Sequence, residues 1–153
     1  MEVREYTLRK ATTTDHDLIY GLKKESVYAY VEENWGWNED YQAKDFDKDF
    51  QNIEQFQVIE SDGDFIGFVQ LYAHDKYIEL VEIHIVLEKR GNGIGSTIIK
   101  SIVNDAINTG CTVRLGCFKK NYDAKSLYVR IGFKQVSETD THYILEYNSE
   151  HLH

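Results

Sequence analysis

The stretch YIELVEIHIVLEKRGNGIGSTIIK, residues 77–100, decides the fold. Its first part is apolar and β-branched like a strand, and a loop with three alternate glycines, Gly91, Gly93 and Gly95, leads into a helical pattern that begins near Ile94. Glycines let a ligand approach the main chain, and the unpaired N–H groups of a first helical turn favour an anion. The stretch therefore predicts a phosphate site between a strand and a helix.

Two common phosphate-binding loops do not fit these residues. A Walker A loop needs Gly-Lys-Ser/Thr, whereas Gly95 is followed by Ser96, and the next lysine is Lys100. A dinucleotide loop of the form G-x-G-x-x-G, counted from Gly91, would need a glycine where Ser96 stands. The pattern that remains is RGNGIG at residues 90–95.

Two segments of the chain resemble one family. RGNGIG at 90–95 is similar to the R/Q-x-x-G-x-G/A loop of the GNAT superfamily of N-acetyltransferases. Residues 115–133 resemble the second half of the GNAT pattern, L-x-V-x-x-x-N-x-x-A-x-x-L-Y-x-x-x-G-F, with Cys117 as a small apolar substitute for valine. This second segment places Asn121 and Tyr128 at the positions of the family's Asn and Tyr.

The resemblance covers roughly residues 78–133, with the two motifs in the family's order. Two positions depart from the pattern. Many relatives have a proline where this chain has Leu87, which changes the stiffness of the loop. Some relatives carry a catalytic glutamate at the position of Gly116, so that catalytic route is absent here.

Periodicity and turn residues along the chain predict the element order β-α-α-β-β-β-α-β-α-β-β. We expect an edge strand at residues 2–10, a helix that opens at the cap cluster around Thr13 and runs to about Glu32, and a hairpin that turns at 61–64. The expected fold class is α+β (mixed α/β), a GNAT-like single domain over residues 1–153. Its central sheet is mixed, mostly antiparallel and twisted, with about seven strands flanked by about four helices.

Composition and charge narrow the choice of partners. There are 26 acidic and 17 basic residues, and the formal net charge of −9 disfavours nucleic acid and suits a cationic or amine substrate. Because no apolar run is long enough to span a membrane and the N-terminus lacks a signal-peptide core, we expect a cytoplasmic protein without membrane contact. Cys111 and Cys117 stand six positions apart on one predicted strand and cannot pair. No C-x-x-C or H-E-x-x-H pattern occurs, so no metal is expected.

The resemblance implies a binding site for acetyl-CoA as cosubstrate. The glycine loop and the helix N-terminus would hold its pyrophosphate, backbone N–H groups of the strand around 85–87 would meet the oxyanion, and Asn121 would hold the pantetheine arm. Tyr128 would protonate the leaving thiolate. The implied cofactor-binding residues are Ile85, Val86, Leu87, Arg90, Gly91, Asn92, Gly93, Ile94, Gly95, Ser96, Asn121 and Tyr128.

Strand parity points to a base for the acceptor amine. Val81, Ile83 and Ile85 point one way, while Glu82 and His84 interrupt the apolar face on the other side, next to each other. Burial would raise the pKa of a carboxylate there unless it pairs with His84 or is reached by water. Glu82 is the first candidate base and His84 the second. Three alternatives stay open: a water acts as the base, both side chains only face solvent or pair structurally, or a β-bulge changes the face they occupy.

An aromatic and acidic segment follows the first predicted helix. Tyr28, Trp35 and Trp37 flank a helix break at Gly36, where rings often line the rim of a pocket, and we take them as candidate substrate-binding residues. The carboxylates among them favour a cationic acceptor. Further along, aromatic residues at helical spacing, Phe46 and Phe50, are expected to pack in the core.

These observations favour an N-acetyltransferase that carries the acetyl group of acetyl-CoA to a primary amine of a small molecule, protein or peptide by direct transfer in a ternary complex. The alternative is a non-catalytic CoA-binding regulatory domain of the same fold. An acetyltransferase that acts on charged tRNA is disfavoured by the net charge of −9. The expected acceptor is a cationic small molecule or peptide, with no nucleic acid and no membrane, and a homodimer stays open.

Overall fold

A computed structural model describes residues 5–148 of the chain. Within this range the order of strands and α-helices is the predicted one, and no helix is long and apolar enough to cross a membrane. The predicted first strand begins at Thr7, and its residues 2–4 lie outside the described range. The strands are β1 (Thr7–Lys10), β2 (Phe56–Ser61), β3 (Asp64–Ala73), β4 (Tyr77–Ile85), β5 (Thr112–Phe118), β6 (Lys134–Glu138) and β7 (His142–Tyr147), and the helices are α1 (His16–Trp35), α2 (Glu39–Phe50), α3 (Ile94–Asn108) and α4 (Tyr122–Ile131).

Hydrogen bonding links the strands in the order β1-β2-β3-β4-β5-β7-β6. The β4–β5 pair is parallel, and the pairs β1–β2, β2–β3, β5–β7 and β6–β7 are antiparallel, which confirms a mixed, mostly antiparallel sheet. The chain divides into two compact units. The first unit comprises the residues up to Gln70 together with Glu82–Ile94, and the second comprises Leu71–Val81 and the residues from Gly95 onward. The prediction of a single domain over 1–153 stays a prediction.

Phenylalanine rings form the core of the first unit. Ring centroids lie 5.4 Å apart for Phe46–Phe50, 5.0 Å for Phe50–Phe56 and 6.3 Å for Phe56–Phe68, so the predicted core positions of Phe46 and Phe50 are confirmed. The side chain of Asn38 caps α2 by accepting a backbone N–H of its first turn, where two acidic residues also favour the helix dipole. The capped helix thereby presents both rings to β2 and β3.

Residues with left-handed backbone form the turns of the first unit. Asp62 and Gly63, with φ of 53° and 81°, join β2 to β3, which confirms the hairpin predicted at 61–64. Gly36, with φ of 78°, ends α1. The helix therefore runs three residues beyond the predicted Glu32, up to the glycine that the sequence marked as its break.

Asp15 ties β1 to the start of α1. Its carboxylate accepts hydrogen bonds from Arg9 Nη1 and Nη2, each at 2.8 Å, and from the backbone N–H of Thr12 at 2.8 Å. Arg9 Nε also lies 3.1 Å from Glu60 Oε2 on β2. The hydrogen bonds from Arg9 outweigh burial, which acts in the opposite direction, and lower the pKa of Asp15 from 3.8 to about 2.

The lowered pKa of Asp15 predicts a loss of stability in acid. Because the folded-state pKa lies below the ordinary value, the carboxylate stabilises the fold above about pH 4, and this contribution of about 2 kcal/mol disappears as the pH falls toward 2. Urea unfolding measured across this window should show a smaller decline in unfolding free energy for Asp15→Asn than for wild type. Asp45→Asn, at an exposed position of α2, is the control and should follow wild type. An Asp15→Asn decline as large as that of wild type would contradict the assignment.

Apolar stripes and helix-ending glycines shape the second unit. α3 ends at Asn108, before Gly110 with φ of 79°, and α4 ends at Ile131, before Gly132 with φ of 125°. The inward face of α3 is apolar, with Ile98, Ile99, Val103 and Ala106 buried and Ile102 half-buried.

Both cysteines of the second unit are free thiols, as predicted. Cys117 lies on β5 with its side chain buried, and this burial raises the pKa of its thiol. Cys111 precedes β5 and is half-buried.

Candidate active site

Glu82 and His84 form a hydrogen-bonded pair on β4, in the first unit. His84 Nε2 lies 2.6 Å from Glu82 Oε2, and the two side chains are 17% and 20% exposed. They are neighbours on the same side of the strand, as parity predicts, because side chains two positions apart point the same way. The structure therefore brings the two candidate bases together as one unit.

Lys23, which sequence reasoning missed, contacts the same carboxylate. It projects from α1, and its Nζ lies 3.7 Å from Glu82 Oε1 and 5.8 Å from the centroid of the Phe46 ring. A signal for this placement was present in the helix pattern. Lys23 follows Ile19 by one helical turn, and Ile19 and Leu22 are buried, so Lys23 lies at the edge of the inward face.

Opposing effects act on the pKa of Glu82. Burial raises this pKa, but the positive charge and hydrogen bond of His84 and the nearby positive charge of Lys23 lower it by more, so the net shift is downward. An ionised Glu82 with a lowered pKa is a weak proton acceptor. It is well suited to orient the imidazole of His84, as the carboxylate does in a catalytic triad.

The backbone of His84 lies very close to Gly67 on β3. A Cβ atom at Gly67 would stand 2.3 Å from the His84 carbonyl oxygen and 3.2 Å from the Cδ1 atoms of Ile59 and Ile85. The His84 ring packs near Phe68, with 5.5 Å between the ring centroids. Glycine at position 67 is thus the residue that lets β3 approach the strand segment carrying the pair. The sequence signal was an isolated glycine within a strand pattern.

The backbone segment 85–87 leads from β4 into the loop. The N–H of Val86 donates to the carbonyl of Ile66 at 2.8 Å, so this donor already has a partner within the protein. A short 3-10 turn, Leu87–Lys89, follows. Whether this segment contacts an oxyanion stays a prediction.

The glycine loop has the predicted strand-loop-helix form. Gly91 and Gly93 have φ of 82° and 80°, conformations that side-chain-bearing residues rarely adopt, and α3 begins at Ile94. Gly95 and Ser96 follow in the first turn of α3, half-buried. The geometry matches a helix N-terminus that can accept a phosphate, and the role of these residues in binding acetyl-CoA stays a prediction.

The side chain of Arg90 connects the glycine loop to β4 and α1 of the first unit. Its Nε donates to the carbonyl of Ile85 at 2.7 Å, and its Nη2 lies 3.8 Å from Glu25 Oε1 and 3.5 Å from Ser26 Oγ. Asn92 Nδ2 donates to the Lys89 carbonyl at 3.3 Å. These bonds hold the loop against β4 and α1, and a contact of Arg90 or Asn92 with a phosphate stays a prediction.

Two of the three candidate substrate-binding rings contact each other. Tyr28 and Trp37 lie 5.1 Å apart between centroids, and Trp37 Nε1 donates to Glu39 Oε1 at 3.2 Å. The ammonium of Lys24 pairs with Glu39 and lies 5.5 Å from the centroid of the Trp37 ring. Trp35, at the end of α1, is 61% exposed. The helix break thus holds one ammonium among rings and a carboxylate.

Asn121 lies directly before α4 and Tyr128 lies on it, both in the second unit. The Oδ1 of Asn121 accepts a hydrogen bond from the N–H of Ala124 at 3.2 Å, so Asn121 is the N-cap of α4. The half-buried ring of Tyr128 packs edge-on against Phe133, with 5.7 Å between centroids. The roles of Asn121 and Tyr128 toward acetyl-CoA stay predictions.

Over residues 5–148 no group of three or more histidine, cysteine or acidic side chains is placed to hold a metal ion. The prediction that the protein binds no metal still rests on the sequence.

Comparison with known sequences gives a family match over most of the chain. The model of the acetyltransferase (GNAT) family matches residues 22–133. Thialysine N-epsilon-acetyltransferase of Bos taurus is 34% identical over 74 residues, which are 48% of this chain and 44% of that enzyme. The match therefore spans less than half of the length of this relative.

Solved structures of the same fold cover nearly the whole chain. The PaiA N-acetyltransferase of Thermoplasma acidophilum, in complex with coenzyme A, has a TM-score of 0.76 and 20% identity over 93% of this chain and 98% of that one. The spermidine N-acetyltransferase of Vibrio cholerae, in complex with CoA and spermine, has a TM-score of 0.72 and 18% identity over 97% and 98%. At such identities the likeness establishes the fold.

Proposed function

The chain belongs to the acetyltransferase (GNAT) family, and we propose that it transfers the acetyl group of acetyl-CoA directly to a primary amine of a small molecule, protein or peptide. The observation that carries the proposal is the His84–Glu82 pair, with its 2.6 Å hydrogen bond. An alkylammonium, with an ordinary pKa near ~10, must lose a proton before it can attack a thioester. A half-buried imidazole with an ionised carboxylate behind it supplies such a proton acceptor.

In this proposal His84 is the base and Glu82 its positioning residue. Glu82 holds the Nε2 side of the ring, which leaves Nδ1 as the atom that takes the proton from the acceptor. The glycine loop and the start of α3 bind the pyrophosphate, and Tyr128 protonates the departing thiolate of CoA. Acetyl-CoA would supply the activated acetyl group. A solved relative of the same fold holds coenzyme A, which supports this choice of cosubstrate.

We propose a cationic acceptor. Lys24 shows which ligand chemistry suits the helix break: an ammonium placed over the Trp37 ring and paired with the Glu39 carboxylate. Hydrogen bonds from Lys24 and, to a smaller extent, from Tyr20 and Trp37 lower the pKa of Glu39 to about 2, so this side chain is a charged carboxylate in the physiological range. The thialysine acetyltransferase relative is named for an amine substrate. An acceptor that carries an ammonium in addition to its reacting amine could make the same contacts with the Trp37 ring and the Glu39 carboxylate.

A thiol-release assay tests the acceptor class. Acetyl-CoA is offered with primary amines that differ in a remote substituent, which is cationic, neutral or acidic. The proposal expects the highest kcat/KM for the cationic series, and a preference for acidic acceptors would contradict it. Binding of acetyl-CoA by calorimetry without turnover of any amine would favour the non-catalytic regulatory alternative. The cytoplasmic location and the homodimer stay predictions from the sequence.

Tyr128→Phe tests the proposed acid. Removal of the hydroxyl should lower kcat about 10²-fold, because the thiolate would leave without a proton donor, while calorimetric affinity for acetyl-CoA changes little. Tyr122→Phe is the matched control, since Tyr122 lies on the same helix and is 70% exposed. Equal kcat values in the Tyr128 variant, the control and wild type would remove Tyr128 from the mechanism.

A further inference from the structure

A primary amine of the protein itself lies beside the carboxylate that positions the proposed base. Lys23 Nζ is 3.7 Å from Glu82 Oε1, and Glu82 Oε2 is bonded to His84. A base must stand within hydrogen-bond reach of the proton that it removes, directly or through one water. The acceptor nitrogen of the proposed reaction must therefore come close to this pair, and Lys23 already has a nitrogen of the same chemical class there.

Packing holds Lys23 in this position. Its side chain is 23% exposed, its ammonium lies 5.8 Å from the centroid of the Phe46 ring, and its backbone belongs to the same turn of α1 as the buried Leu22. The adjacent Lys24 points elsewhere and is 40% exposed in its pair with Glu39. The chain thus places one lysine at the pair and keeps its neighbour at the surface.

We propose that Lys23 is a self-acetylation site, modified by the enzyme's own acetyl-CoA when no other acceptor is bound; this rests on the proposed function. The Lys23 ammonium gives one proton to His84, directly or through one water, and the free amine attacks the thioester carbonyl. The new C–N bond forms as the C–S bond breaks. The attacking nitrogen releases its second proton, and CoA leaves as the thiolate and takes up a proton. The products are Nε-acetyl-lysine and free CoA, with the first proton held by the base.

Mass spectrometry tests the proposal on the whole chain. The protein is incubated with acetyl-CoA and no added amine, and samples are followed by intact mass and by peptide mapping. Exposed Lys44 on α2 serves as an internal marker of uncatalysed acetylation. Lys23 should be modified at least about 10²-fold faster than Lys44, because a positioned base assists only Lys23. The rate should not depend on protein concentration, since the transfer is intramolecular.

Variants identify the residues responsible. Lys23→Arg should abolish the fast modification, Lys44→Arg should leave it unchanged, and His84→Gln should slow it to the rate of Lys44. Circular dichroism checks that each variant is folded. If Lys23→Arg does not fold, the peptide map of the wild-type protein is sufficient, because it compares the acetylation rates of Lys23 and Lys44 directly.

A parallel assay with an added primary alkylamine separates the two proposals. If the amine is acetylated while Lys23 is modified no faster than Lys44, the self-acetylation proposal is wrong and the proposed function stands. If neither the amine nor Lys23 is acetylated, both are wrong. Fast modification of Lys23, with or without turnover of the added amine, supports self-acetylation.

Discussion

Replacement of His84 by alanine is expected to lower the kcat for amine acetylation about 10²–10⁴-fold near neutral pH, the usual contribution of a positioned base. The loss should shrink as the pH rises. Without a base the amine must arrive already deprotonated, and that fraction grows about tenfold per pH unit below the amine's pKa of ~10. The measurement is the pH profile of kcat/KM for the variant and for wild type. The variant should rise steadily where wild type has levelled off.

His74 offers a matched control for His84. It also forms a histidine–glutamate pair, with His74 Nε2 lying 2.9 Å from Glu79 Oε1, at a position outside the proposed machinery. His74→Ala should keep the wild-type kcat and pH profile. Parallel profiles for His84→Ala and wild type would show that His84 is not the base.

Glu82→Gln should cause a smaller loss of kcat than His84→Ala, because Glu82 acts through the imidazole.

Gly67→Ala is expected to be the most destabilising small substitution in the first unit. The new Cβ would stand 2.3 Å from the His84 carbonyl oxygen, which is a backbone atom and has no flexible end that could move aside. The strands must shift, at a cost of about 1–3 kcal/mol, which lowers the midpoint of urea unfolding by roughly 1 M. Because the shift moves the strand segment that carries His84, kcat should fall as well, even where the variant is fully folded.

Gly116→Ala is the matched control for Gly67→Ala. Gly116 is also a strand glycine, on β5, but a Cβ there would meet its nearest side-chain atoms at 3.7 Å and 3.8 Å, which is ordinary contact. This variant should unfold at a urea midpoint close to that of wild type. Equal midpoints for the two alanine variants would contradict the proposed close approach of Gly67 to His84.

Local sequence signals were sufficient to predict the element order. Helix ends followed residues with fixed conformational preferences, such as Asn121 at the start of α4 and Gly132 after its end. The period of two along β4 predicts that Glu82 and His84 lie next to each other on one side of the strand. These features depend on neighbours within a few residues, so the sequence alone contains them.

Features of the site that depend on long-range packing could not be predicted. Lys23 reaches Glu82 from 59 positions away along the chain, and only the packing of α1 against β4 brings them together. Arg90 was expected to meet a phosphate, and nothing local indicates that its Nε donates to the carbonyl of Ile85. A long basic side chain has many acceptors within reach, so its partner depends on the fold around it.

The central claim is direct transfer of an acetyl group from acetyl-CoA to a primary amine. The most direct test mixes the wild-type chain with acetyl-CoA and a cationic primary alkylamine and measures both products, the free thiol by colour and the amine by mass. Direct transfer predicts one N-acetylated amine for each thiol released, with both rates dependent on the two substrates. Release of thiol with the amine unchanged, or no release at all while acetyl-CoA binds, would contradict it.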